Sequence, residues 1–182
     1  MFRRYSVFSL FICFIGLTGC ASNITRQTPD VQTRRVSSAE VVWVNPGAIP
    51  MAVTTSSYGL YSSPPAPNIG YATKEVGELL TEIRSQMSTQ IETALKEGGA
   101  IRGDDAQIRI RVTGTHHTIT GPGAVLVASV HFKESPPGAK PWSVEIKGGT
   151  PIGSDNKSVA SKFARTAVEE LVAAGIIKAK PQ

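Results

Sequence analysis

The sequence predicts an α+β fold, a two-layer sandwich with two amphipathic helices on one face of an antiparallel sheet of three to four strands. Three observations carry the prediction. A helical apolar stripe runs through Thr73–Glu97, a second through Asp155–Gly175, and three runs of alternating apolar and polar residues lie between them. The element order is (β)-α-β-β-β-α, the first strand being a short run ahead of the first helix.

That early run is Glu40-Val41-Val42-Trp43-Val44, closed by the turn signal Asn45-Pro46-Gly47 and expected at a sheet edge. Positions 46–72 follow as an irregular loop rich in Pro, Ser and Tyr, including Tyr58, Tyr61, Pro64, Pro65 and Pro67. In the first helix Val76, Leu79, Leu80, Ile83, Met87, Ile91, Ala94 and Leu95 form one stripe. Glu75, Glu78 and Glu82 load its first turns, where the helix dipole favours anions, and Gly98-Gly99 ends it. The strand runs are Gln107–Val112, Ala124–Lys133 and Trp142–Lys147, separated by Gly- and Pro-rich turns, and the simplest assembly is an antiparallel meander. Val159, Phe163, Ala167, Val168, Leu171 and Val172 stripe the last helix, with Ser154 or Asp155 as cap and Gly175 as stop. The tail Lys178–Gln182 is polar and expected to fray.

The chain has 182 residues, a formal charge of +5 and 41% hydrophobic residues, which suits one globular domain and gives too mild a basic excess for nucleic acid. The first twenty residues have a different character. Arg3 and Arg4 precede an apolar run, Val7–Leu17, that is short for a bilayer span of about 20 residues. The run ends in Leu17-Thr18-Gly19-Cys20, which resembles the lipobox of bacterial lipoproteins. The resemblance implies cleavage before Cys20, diacylglycerol on its sulfur and acylation of the new amino terminus, enough acyl chains for a stable anchor. With the polar composition of 21–38 and the length of the remainder, this gives a division into a signal peptide (1–19), a lipidated cysteine with a flexible tether (20–38) and a single domain (39–182). Ala21 stands where lipoproteins retained at the inner membrane typically carry aspartate. The expected location is therefore the outer membrane, facing the periplasm, with the periplasmic side of the inner membrane as the alternative. Cys13 leaves with the signal and Cys20 takes the lipid, so no thiol remains for a disulfide, a nucleophile or a zinc site.

The sheet face away from the helices is expected to carry Arg109, Arg111, His131, Lys133, Ser143, Glu145 and Lys147. Arg109, Arg111, Lys133 and Lys147 are the candidate anion-binding residues, since guanidinium groups engage phosphate or carboxylate in bidentate fashion. The same residues also suit a solvated face guarded against edge pairing. His116-His117 would point to opposite faces of a strand, poor geometry for one metal. Asp104-Asp105 reads as a turn with Asx hydrogen bonds. Gly121-Pro122-Gly123 precedes a strand and is no phosphate loop, and no Gly-x-Ser-x-Gly elbow is present. The expectation is a protein without enzymatic activity, cofactor or metal.

By element order, Thr73–Gly175 is similar to small α+β outer-membrane lipoproteins, the lipopolysaccharide-assembly lipoprotein and the YajG-type lipoproteins, with no shared motif beyond Cys20. These features together suggest a non-catalytic accessory or scaffold subunit of a cell-envelope assembly, held to the membrane through Cys20 and bound to an envelope protein. The alternative is a module binding an anionic lipid or glycan through the basic face.

Overall fold

The computed structural model describes residues 23–27, 34–44, 51–53, 69–118, 120–151 and 154–178, without the side chains of 23–27, 51–53 and 69–72. The signal segment 1–19, Cys20, the Asn45-Pro46-Gly47 turn, Tyr58, Tyr61 and the tail from position 179 lie outside the described residues. Two helices, α1 (Ile69–Glu97) and α2 (Asn156–Ala173), pack side by side on a mixed sheet. The strands are β1 (Asn23–Gln27), β2 (Ser38–Val44), β3 (Met51–Val53), β4 (Ile101–Arg102), β5 (Ala106–Thr118), β6 (Gly121–Phe132) and β7 (Trp142–Gly149).

The class is α+β, with both helices on one face. The expected meander is the centre of the sheet: β5 pairs antiparallel with β6, and β6 with β7. The sheet is larger than three to four strands and is not wholly antiparallel. Its order is β1-β7-β6-β5-β2-β4, with β3 also paired to β5. β2 and β3 both run parallel to β5, which they reach through the crossover helix α1. β4 pairs with β2 only at Ser38 and Ala39, so β2 is an edge along most of its length among the described residues.

The inward side chains explain the layer. Leu79, Ile83, Met87 and Ile91, one per helical turn of α1, are fully buried. They meet Ile108, Ile110, Leu126, Ala128, Val144 and Ile146 from alternate positions of the three central strands, with Ala160, Ala164, Ala167 and Leu171 from α2. The alanines leave α2 room beside α1. Both helices stop in the same way. Gly99 and Gly175 take positive φ, and the following residue's N–H donates back to Leu95 and Leu171 respectively, each at the third position from its helix end. The Asp155 carboxylate caps α2 by accepting from the Ser158 N–H at 2.6 Å. α1 begins four residues before the expected Thr73, so its first turn holds no acidic residue, and Glu75 lies in its second turn, beside His117 of the sheet. Among the described residues no helix is long and apolar enough to cross a membrane.

Of the segment expected as a tether, 20–38, the described residues 23–27 and 34–38 are built into the domain. Asn23–Gln27 pairs with β7 as an edge strand, and Val36 is buried, its N–H donating to the Ile176 carbonyl. An edge strand needs only backbone partners, so its polar composition concealed it. Asp105, expected to serve a local turn, instead clasps this segment. Its carboxylate accepts from Arg34 at 2.9 Å, from the Ser37 N–H at 3.2 Å and from the Ser37 hydroxyl at 2.9 Å. The backbone and hydroxyl donors of Ser37, then Arg34, hold this carboxyl below the usual carboxylate range. A lowered folded value stabilises the clasp at pH above about 3.9, and that contribution disappears as pH falls through the folded value. Asp105→Ala is expected to cost about 1 kcal/mol in urea unfolding at pH 7 and progressively less as the pH is lowered through the folded value. A loss that persists undiminished in acid would show that the charge is not what holds the clasp.

Candidate functional site: the open face of the sheet

The alternation that buries Ile108 and Ile110 sends Arg109 and Arg111 to the opposite face, which no described helix covers. Register places their neighbours. Val42, Arg109, Ser129 and Ser143 form one row across β2, β5, β6 and β7, and Val44, Arg111, Val127 and Glu145 form the next. With His131 and Pro141, these rows other than Val42 line a depression of about 470 Å³. Arg109 is held along its own strand, its Nε and Nη2 donating to Gln107 Oε1 at 3.1 and 2.8 Å. Arg111 is exposed, and neither arginine forms an ion pair with a described residue. The His131 ring stands 3.1 Å from the Ser129 hydroxyl. Burial, and secondarily the Arg109 charge, push its pKa below the usual imidazole value, so it contributes no positive charge at neutral pH.

Of the four cations expected to share this face, the structure brings together two. Lys133 lies past the end of β6, where its ammonium is engaged by the Asp104 carboxylate. The pair shifts both groups toward their charged forms, so Lys133 spends its charge at the rim. Lys147 is opposite Val125, one row beyond Glu145, and exposed. The register shift between Val112 and Gly114 separates its row from that of Arg111 along β5. Ser129, Ser143 and Val127 line the depression with the arginines. Their signal in the sequence was the same alternation, which becomes a site only once register is known.

The two adjacent histidines point to opposite faces as expected. His117 turns inward, its Nε2 2.6 Å from Glu75 Oε2 on α1. His116 lies on the open face against Gly123 and near Lys147, and burial is the first cause of its lowered pKa. Among the described residues no three His, Cys, Asp or Glu side chains converge as metal ligands. Ser129 and His131 have the separation of a nucleophile and its base, but no described acceptor is hydrogen-bonded to the ring's other nitrogen.

Neither a protein-family model nor a curated protein matches this chain. Among solved structures it is similar to the PelC dodecamer from Paraburkholderia phytofirmans and to a point variant of it, each at 12% identity and a TM-score of 0.45. Each likeness covers 87% of this chain and 100% of the other.

Proposed function

We propose that this protein is a lipid-anchored, periplasm-facing and non-catalytic subunit of a cell-envelope assembly, at the outer membrane, with its open sheet face as the contact surface. The lipobox-like Leu17-Thr18-Gly19-Cys20 supports the anchor. The observation that carries the contact surface is the asymmetry of the sheet. Both helices occupy one face, while the other keeps a depression lined in part by half-buried Val127, with Arg109 and Arg111 without carboxylate partners among the described residues. An open-faced sheet of this kind offers a fixed array of side chains at strand spacing, which suits recognition better than turnover.

The test is site-specific photo-crosslinking in intact cells, with the photoreactive residue at Val127 or, as control, at exposed Arg165 on α2. A discrete adduct from position 127 and none from 165 supports the reading. Equal labelling from both, or none from 127, sinks it. The anchor is checked by fractionation: Cys20→Ala is expected to move the protein out of the membrane fraction. A second reading, an anionic ligand on the same face, is favoured by the two arginines standing in consecutive rows of the depression.

A further inference from the structure

We infer that the depression on the open face binds a carboxylate-bearing polysaccharide, with Arg109 and Arg111 as the residues that engage its acid groups. This rests on the open face being the contact surface, and goes further by naming what the surface recognises. Arg109 and Arg111 sit two positions apart on β5 and project from the same face, which separates their bases by roughly 7 Å along the strand. Arg111 presents a planar fork and Arg109, whose Nε and Nη2 each give one N–H to Gln107, keeps the donors at its Nη1 and Nη2 end, both suited to pairing with carboxylates.

The residues between and beside them decide among anions. In register with Arg109 are the hydroxyls of Ser129 and Ser143, which both donate and accept, as sugar hydroxyls require. In register with Arg111 is Glu145, an acceptor for hydroxyl groups and a repulsive neighbour for a dense phosphate array. Val44 and Val127 give the same row an apolar floor against which the C–H face of a sugar ring can pack. With His131 neutral, the depression holds two cations and one anion. Electrostatic attachment to an anionic bilayer typically uses about four to eight clustered basic residues, so this face is too weakly charged for that. Its described lining also holds no Phe, Tyr or Trp on which a nucleobase could stack. At about 470 Å³ the depression is of the size that holds a small ligand, here a short stretch of a longer chain.

The experiment uses full-length protein in detergent and measures binding of oligogalacturonate, of a neutral glucan oligomer of equal length, of inorganic phosphate and of phosphatidylglycerol vesicles. Expected is salt-dependent binding of oligogalacturonate alone. Arg109→Ala and Arg111→Ala should each weaken it on the order of tenfold, with Arg111→Lys intermediate because charge survives without the fork. Unchanged circular dichroism establishes that the variants are folded. Equal binding of the neutral oligomer, preference for phosphate or vesicles, or indifference to both alanine variants overturns the inference. If oligogalacturonate fails to bind while photo-crosslinking at Val127 still yields a protein adduct, the ligand class is wrong and the contact surface stands. If both fail, both readings fall.

Discussion

Ile110→Ala is expected to destabilise the domain by about 2–5 kcal/mol, while Arg109→Ala, its neighbour on the same strand, shifts stability by less than about 0.5 kcal/mol. Ile110 has no exposed surface and sits in the middle of the sheet, in register with Trp43 on one side and Ala128 on the other. Removing its outer carbons leaves a space that none of these neighbours can fill. Trp43 is tied by its indole N–H to the Ser88 hydroxyl at 3.0 Å, and Ala128 has only a methyl to offer. Arg109 is exposed and bonded along its own strand, so its truncation opens no cavity. Urea unfolding of the two variants measures the contrast directly. Comparable losses would mean that β5 does not separate a buried face from an open one, and the site would go with it.

Gly123→Ala is the second substitution expected to cost much, about 1–3 kcal/mol, although it adds a single methyl. The new carbon would stand 2.2 Å from His116 Nε2 and 2.8 Å from the Gly148 carbonyl oxygen. The histidine is a side chain and can swing aside; the carbonyl belongs to the neighbouring strand and cannot move without disturbing the β6–β7 pairing. His116→Ala combined with Gly123→Ala should therefore recover part of the loss and no more. A double-mutant cycle on melting temperatures reads the coupling. Full recovery would show that the imidazole alone makes glycine necessary at position 123.

The elements with a strong hydrophobic period were legible in the sequence. Leu79, Ile83, Met87 and Ile91 announce α1, and the alternation around Ile108 and Ile110 announces both β5 and its two faces. Asp155 and Gly175 marked the ends of α2 because capping chemistry is local. What stayed hidden depends on partners distant in sequence. The polar run Asn23–Gln27 has no apolar face to betray it as a strand, and its place is fixed by backbone pairing with residues over a hundred positions away. The parallel run of β2 beside β5 follows from the α1 crossover, and composition holds no trace of it. The site was half legible for the same reason. Alternation put Arg109 and Arg111 on the open face, but only register shows Ser129 and Ser143 beside them. Lys133 and Lys147, of the right type and parity, were lost to an acidic neighbour and to a register shift.

The pairing of β1 with β7 also determines how such a domain would be moored. Strand pairing begins at Asn23, three residues after Cys20, and three residues reach at most about 10 Å. With the acyl anchor proposed for Cys20, this length would hold one corner of the sheet within about 10 Å of the lipid. That corner is the register pair Asn23 and Lys147. Lys147 then faces the headgroup layer, where a basic side chain gains about 1 kcal/mol against anionic lipid. Glu145 and Ser143, paired with Thr25 and Gln27, follow at roughly 7 Å intervals up the same strand. On that proposed anchor, the rows of Arg111 and Arg109 lie about one and two such intervals further from Cys20 than Lys147 does.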